Sequence, residues 1–593
     1  MELTLKQREI IEYPFKNTIL ITGYAGTGKT YALLHKYLSL CQDYQVPPQN
    51  MIFIVKDEIK KDMTLLMYNL INPSRKFYQL NIVTIEELVK YYLEFSKLSL
   101  FQNRIDDIRK RSILKQIARM KNIQFSFELL YDEIKFIQEN IVLNSEGEFL
   151  DILNKEYKQY YLTTRLTPKR QPLTYQEKEL IWSVYKDYLI RSLNDDIFDE
   201  STLYQSFLRL LYQQNDNLTF KFPYIFVDDV EQFTRVQLDI INCFYDTNEM
   251  HGCYLAQDEL KCKDRYKNYL NSAIFKHVSY TVHLDTNLRS NHNVYSIIKS
   301  FLNNNALLEA RQPYESCKRE GRLNSVLTYY MNRHNEEKSI IFFDRLDLLI
   351  NNYGYELSDI LVIFNDNDTL MEMKFACEQK GINVIDIAEH YKTLNPRGLT
   401  FIHKNDMSNY EFKVVFIYDV DNNKVCTGIV NKMTNINTNY ADSVHFYLQL
   451  TSARDLIIIN ASQNEPSSLI HPTQINHDAF TFELGSKFPV KPLYLSSRVS
   501  DMANYIKDTL INLYGYNVKH FNNTKFYELL VSTNAHKIGI KVVEDSLNID
   551  NIMDAVASQD DDIDYLVIFD AYHYLVYDLR SYTVNRITDI PNN

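Results

Sequence analysis

The chain has 593 residues, more than one hydrophobic core can organise, which predicts about three to five domains. Its hydrophobic share of 45% and charged share of 24% are ordinary for globular proteins and exclude a disordered, collagen-like or coiled-coil rod. No stretch approaches the ~18 apolar residues of a membrane span, and the opening MELTLKQREI lacks a signal peptide's apolar core, so no membrane partner is expected. The seven cysteines are odd in number and never as close as C-x-x-C, which points to reduced thiols and a cytoplasmic protein. With a net charge of −12, any nucleic acid must be held by a local basic channel rather than by overall attraction.

The first element is a short helix in LTLKQREII, followed by an apolar strand from Thr18 to Thr22 and an apolar-periodic helix after Lys29. Between strand and helix lie Gly23, Gly26 and Gly28, three of only 13 glycines in the chain. Gly23 to Thr30 satisfies G-x-x-x-x-G-K-[ST] in the strand–loop–helix setting of a phosphate-binding loop. In such a loop the backbone N–H groups around Gly23, Gly26, Thr27 and Gly28 curl about a β-phosphate, and the helix N-terminus adds its positive end. Lys29 then reaches the β- and γ-phosphates and Thr30 offers its hydroxyl to Mg²⁺, so ATP and Mg²⁺ are the expected cofactors.

Residues 101–214 read as helical, interrupted by Pro168 and Pro172, with a basic cluster of Arg104, Arg109, Lys110, Arg111, Lys115, Arg119 and Lys121. The cluster is either a phosphate path or a solvated helix face. FPYIFVDDVEQFTRVQLDII (Phe222 to Ile241) is a buried strand ending in Asp228 and Asp229, then a helix. HLDTNLRSNHNVYSIIKSFL (His283 to Leu302) carries Arg289, and LSDILVIFNDNDTLMEMKFACEQKGINVI (Leu357 to Ile385) is a strand and helix. GLTFIHKNDMSNYEFKVVFIYDVD (Gly398 to Asp421) and YLQLTSARDLIIINAS (Tyr447 to Ser462) close the series.

Taken together, these segments resemble superfamily 1 DNA helicases of the UvrD/Rep type over residues 1 to about 480. The resemblance implies an α/β fold with two RecA-like P-loop lobes. Residues 1–100 and 215–285 would form the first lobe, 101–214 its helical insertion, and 286–485 a second lobe with no large insertion. It further implies that Gln7 reads the adenine edge, that Asp228 holds Mg²⁺ through water, and that Asp229 stands where a glutamate polarises the attacking water. Arg289 takes the place of an arginine that meets the γ-phosphate from the second lobe, and ATP with Mg²⁺ would lie between the lobes with single-stranded DNA across their top. Leu288 replaces the aromatic that stacks on the base, leaving Tyr31 either as its substitute or as a packed helical tyrosine. Thr84 matches a threonine that contacts the DNA backbone, while Val55 replaces a stacking phenylalanine.

The pattern decays toward its end. Asp229 is one methylene shorter than the usual glutamate, and Ser408 and Asn409 stand where Lys-Gly is usual. Ser452 occupies the place of a second γ-phosphate arginine, which Arg454, two residues on, cannot replace from the opposite side of a helix. GCYLAQDELK (Gly252 to Lys261) is the nearest approach to the third motif. The expectation is an ATP-dependent DNA motor with 3′–5′ translocation and slow or conditional hydrolysis, acting on single-stranded or tailed duplex DNA in repair or antiviral (phage) defence. The rival reading is an ATP-gated, DNA- or partner-binding regulatory subunit without helicase activity.

Residues 490–593 read as a separate α/β domain. Its "Gly-Tyr-x-V…ELLV…K-I-G-I-K-V-V" resembles a restriction-endonuclease-like core in which Glu528, Lys541 and Val543 keep only part of the metal-binding set. Such a domain would have lost cleavage and would bind DNA or a protein partner; the alternative is an unrelated small α/β domain. The acidic run Ser558 to Asp564 reads as a loop rather than a metal site.

Overall fold

The structure is a computed structural model. It describes residues 3–14, 18–72, 79–97, 103–140 (less 125), 155–163, 173–214, 220–262 (less 249), 268–305, some between 308 and 316, 327–332, 335–392, 396–421, 440–462 and 480–484, and beyond 500 mainly the strands given below. The chain divides into two compact units. The first is Met1–Arg289 with Arg311–Glu315 and Tyr391–Leu394, and the second takes in Ser290–Ala310, Ser316–His390 and Asn395–Asn593. The fold is α/β, as the resemblance implied, with two large parallel sheets and a third that is mostly antiparallel.

The sheet of the first unit has six strands: β1 (Thr18–Gly23), β2 (Met51–Val55), β3 (Ile82–Thr84), β4 (Tyr224–Val227), β5 (Gly252–Gln257) and β6 (Val278–Leu284). Their order is β3-β2-β4-β5-β1-β6 and every pairing is parallel. Side chains alternate across a strand, and both faces here are covered. Phe53 and Val55 join Phe226 and the helix after β1 in one core layer, while Ile52 and Ile54 join Ile225 and Val227 in the other. That double burial explains why β2 and β4 read as continuous apolar runs. In such a sheet, ligands gather at the carboxyl ends of the strands.

Four helices pin this end of the sheet: α1 (Leu5–Glu12), α2 (Lys29–Gln42), α3 (Glu58–Ile71) and α4 (Ile85–Phe95). α1 and α4 open with capping boxes, Thr4 with Gln7 and Thr84 with Glu87. Thr84 is buried, and its hydroxyl accepts from the Glu87 N–H. Val55 is fully buried in the sheet.

The insertion is helical, with α5 (Asp107–Met120), α6 (Phe127–Asn140), α7 (Lys155–Thr163), α8 (Tyr175–Asn194) and α9 (Glu200–Gln214). Its basic cluster is not an open row of cations. Lys110 is buried and donates to Gln138 Oε1 at 2.7 Å and Asp199 Oδ1 at 3.0 Å; Tyr188 and Thr202 donate to the other Asp199 oxygen. Arg104 pairs with Glu86, Arg111 with Asp107 and Glu128, and Lys121 with Asp187. Helical spacing marked these residues as basic but not as paired, because, apart from Asp107 one turn before Arg111, their partners come from other elements. Lys110→Met strands a buried carboxylate, and urea denaturation is expected to show a loss of about 3–5 kcal/mol. Adding Asp199→Leu is expected to return most of it.

The second unit holds a seven-stranded, all-parallel sheet of β7 (Leu327–Asn332), β8 (Ile360–Phe364), β9 (Val384–Ile385), β10 (Leu399–His403), β11 (Phe412–Tyr418), β12 (Ala453–Ser462) and β13 (Phe480–Leu484). The order is β9-β10-β8-β11-β12-β7-β13. At the end of β11, Asp419 and Asp421 close on the buried ammonium of Lys338 at 2.5 and 2.8 Å. A further sheet runs β14 (Asn517–His520), β15 (Leu529–Ser532), β16 (Lys537–Val542), β17 (Tyr565–Phe569), β18 (Tyr574–Asp578) and β19 (Asn585–Ile587) in sequential order. It is antiparallel except for the parallel β16–β17 pair. Lys541 lies on β16; Glu528, Val543 and most of the acidic run fall outside the described residues.

Candidate functional site

The loop between β1 and α2 turns through two left-handed glycines, Gly26 at φ +78° and Gly28 at φ +81°. Glycine reaches this region without steric cost, and it also leaves room for close neighbours. A Cβ on Gly26 would lie 2.6 Å from Asn287 Oδ1 and 3.0 Å from Arg289 Cβ, and one on Gly28 would lie 2.4 Å from Gln7 Nε2.

Gln7 is fully buried against the loop. Its Oε1 accepts from the Thr4 N–H at 3.0 Å and its Nε2 donates to the Thr27 carbonyl at 3.2 Å, so both ends of the amide are engaged. Segment 287–289 covers the other side. Leu288 N–H donates to the Gly26 carbonyl at 2.8 Å, and Arg289 N–H donates to Asn287 Oδ1 at 2.9 Å. Asn287 Nδ2 donates to the Tyr314 hydroxyl at 2.7 Å, which in turn donates to the Ala25 carbonyl at 2.9 Å. Arg289 thus belongs to the first unit, beside the glycine loop, although the sequence places it at the start of a second lobe. Asn287 and Tyr314 were not legible as site residues, since nothing in a lone Asn and a lone Tyr signals contact with the loop.

Lys29 is buried and donates to the carbonyls of Gly23 at 2.8 Å and Tyr24 at 3.0 Å. Thr27 Oγ1 donates to the Tyr24 carbonyl at 2.9 Å. Thr30 Oγ1 donates to Asp228 Oδ2 at 2.6 Å, which joins the first turn of α2 to the end of β4. Tyr31 packs edge-on against His35 one turn along the same helix, with ring centroids 4.4 Å apart.

Asp228 and Asp229 are both buried, and Asp229 holds a left-handed backbone at φ +53° that a non-glycine residue adopts only under constraint. Lys60, from the first turn of α3, bridges the two, 2.9 Å from Asp228 Oδ2 and 2.6 Å from Asp229 Oδ2. Burial alone would lower the Lys60 pKa, but the two carboxylates overcome it and raise it. Burial pushes the Asp228 carboxyl up against the pull of Lys60, with Asp229 adding to the rise.

Two further buried groups adjoin them. Glu231 accepts from the Asp258 N–H at 3.0 Å through Oε2, and its Oε1 has no partner among the described residues. Burial, then Asp229 and Asp258, raise its carboxyl well above the ordinary value while Lys29 opposes them. Lys261 is lowered to about 8, chiefly by burial, with Asp258 resisting and Arg289 and Lys29 adding to the fall. Lys60 was not legible as a site residue, and Lys261 was visible only as the last residue of the segment nearest the third motif. Glu231 had one signal, an acid two places after the paired carboxylates.

In the second unit Ser452 is buried and its hydroxyl donates to the Leu448 carbonyl at 2.8 Å, while the Arg454 carbonyl accepts from the Asn291 N–H at 2.9 Å.

Hard oxygen donors suit Mg²⁺, which is bound through one or two carboxylates together with water and phosphate oxygens rather than by an all-protein cage. Thr30 and Asp228 fit that chemistry, since their oxygens already meet at 2.6 Å. Among the described residues no group of three or more His, Cys, Asp or Glu side chains is placed to hold a metal, and no helix is long and apolar enough to cross a membrane.

Residues 3–259 match the family model described as the UvrD/REP helicase N-terminal domain, and the chain therefore carries a UvrD/REP helicase-like N-terminal domain over that range. The match includes the glycine loop, Lys60, the carboxylates after β4 and the whole helical insertion. No curated protein matches the chain. Among solved structures, the C-terminal domain of a possible DNA helicase from Lactobacillus plantarum WCFS1 matches with 15% identity over 33% of this chain and 97% of its own, at a TM-score of 0.24.

Proposed function

We propose that the protein is an ATP-dependent, DNA-binding motor of the UvrD/Rep type, with two RecA-like lobes and slow or conditional hydrolysis. The observation that carries this reading is the 2.6 Å bond from Thr30 to Asp228, which brings the end of a glycine-rich loop onto a buried carboxylate at the end of β4. In this reading the loop N–H groups and Lys29 hold the triphosphate, and Thr30 and Asp228 hold Mg²⁺. Bound Mg²⁺ supplies charge neutralisation of the phosphate oxygens. Arg289 sits next to Gly26 and provides a guanidinium for the terminal phosphate. Asp229 is the base, and its bond to Lys60 makes it a restrained one. Single-stranded or tailed duplex DNA is the polymer substrate, and the C-terminal domain is a docking module for DNA or protein.

The buried Ser452 favours slow turnover. An arginine finger contributes about 10³–10⁵ in rate, and the Ser452 hydroxyl is turned onto its own helix. The same observation supports a second reading, an ATP-gated binding subunit without unwinding. Steady-state phosphate release and unwinding of 3′-tailed duplexes, measured on one preparation, separate them. The motor reading expects DNA-stimulated release below about 10 s⁻¹ together with some strand separation. Faster, DNA-stimulated release overturns the slow-hydrolysis reading, and ATP-dependent DNA binding with no strand separation selects the second.

A further inference from the structure

Adjacent buried carboxylates repel one another, so keeping two of them together takes a cation between them. Asp228 and Asp229 face this problem at the end of β4, where both are buried. The loop lysine does not solve it, because the Lys29 ammonium is spent on the Gly23 and Tyr24 carbonyls. The cation that the two aspartates share is Lys60, at 2.9 and 2.6 Å.

Two details make this more than an incidental ion pair. Asp228 Oδ2 accepts from Lys60 and from the Thr30 hydroxyl together, so the ammonium sits on the very oxygen that Thr30 marks for the metal. The backbone of Lys60 is fixed, because its N–H donates to the helix-capping carboxylate of Asp57 at 2.9 Å. Its side chain nonetheless keeps 14% of its surface exposed, against none for Asp228, so the stem borders solvent while the carboxylate does not. A four-carbon stem can move its charge while the helix stays in place.

We propose that Lys60 is a resident counter-ion that takes the place of the metal in the nucleotide-free protein, holds Asp228 and Thr30 in register for it, and must swing out to solvent before Mg²⁺ binds. The inference rests on the ATPase reading of the same site. Metal entry is then a displacement of one cation by another. The protein has little affinity for free Mg²⁺ and accepts it efficiently only with a triphosphate, whose oxygens complete the coordination that the ammonium vacates. Lys60 is a positioning residue in this scheme: it acts through Asp228 and Asp229 rather than on the nucleotide.

Mn²⁺ alone, titrated into the full-length protein and followed by electron paramagnetic resonance, reads the displacement directly. Removing the competitor in Lys60→Met is expected to tighten Mn²⁺ binding about tenfold or more, because the binding-competent fraction is no longer a minority. Lys60→Arg, which keeps the cation, is expected to stay weak. Equal Mn²⁺ affinities in wild type and a folded Lys60→Met overturn the inference. Reductive methylation of the wild type, read by peptide mass spectrometry, serves even if the variants fail to fold. Mg²⁺ with adenylyl imidodiphosphate is expected to raise Lys60 labelling several-fold, and unchanged labelling with nucleotide bound overturns the proposal while leaving the ATPase reading intact. Failure of adenylyl imidodiphosphate to bind wild type at all sinks both.

Discussion

Lys29→Ala is expected to cut ATP-dependent phosphate release by about a hundred- to a thousandfold, the usual cost of deleting one preorganised electrostatic contact to a transferring phosphoryl group. The other nearby cations have different duties in this reading: Arg289 meets the terminal phosphate alone, Lys60 pairs with Asp228 and Asp229, and burial lowers Lys261 to about 8. The substitution also removes a buried donor from the Gly23 carbonyl and one of the donors to the Tyr24 carbonyl, which keeps the Thr27 hydroxyl, so a modest loss of stability, about 1–3 kcal/mol, is expected alongside the loss of rate. Thermal unfolding without nucleotide measures the second effect and steady-state phosphate release the first. A Lys29→Ala protein that retains DNA-stimulated turnover would falsify the assignment of the loop. The comparison with Lys60 is diagnostic, because the two lysines are expected to act in opposite senses. Loss of Lys29 weakens the hold on nucleotide, whereas loss of Lys60 strengthens the hold on metal.

The parts of this site that were legible in the sequence are those fixed by local chain geometry. Gly23, Gly26, Gly28, Lys29 and Thr30 form one contiguous turn whose spacing is dictated by the loop itself, and Asp228 and Asp229 end a strand whose apolar run is visible unaided. Two strands of the first unit's sheet, β1 and β4, were legible for the same reason, as a buried strand such as β4 carries no polar face to blur the pattern. What could not be read is set by contacts between distant segments. Lys60 meets Asp228 across 168 positions of chain, taken as 228 minus 60, and Tyr314 reaches the Ala25 carbonyl across 289. The basic cluster of α5 shows the same limit, since the carboxylates that neutralise Lys110, Arg104 and Lys121 lie on other elements. Charge was visible in the sequence, and neutralisation was not. Gln7 lies between these cases. Its place in a capping box follows from Thr4 three residues earlier, but its seat under Gly28 depends on how α1 meets the loop.

That seat makes the second large effect predictable. Gly28→Ala introduces two separable penalties. The backbone at φ +81° costs an L-residue about 1–2 kcal/mol, and the new methyl would stand 2.4 Å from Gln7 Nε2, an overpacking that costs about 1–3 kcal/mol more. A double-mutant cycle with Gln7→Ala divides them, since removing the amide clears space for the methyl but leaves the left-handed strain. Recovery of about 1–3 kcal/mol in the double variant, measured by chemical denaturation, is therefore expected relative to additivity. ATP binding, followed by calorimetry, is not expected to recover. The turn of the loop depends on residue 28 staying left-handed, and truncating Gln7 also removes the donor to the Thr27 carbonyl that braces it. If Gly28→Ala binds ATP as tightly as wild type, the loop yields to the methyl without losing its grip. The close packing of Gln7 beneath it is then a feature of stability alone.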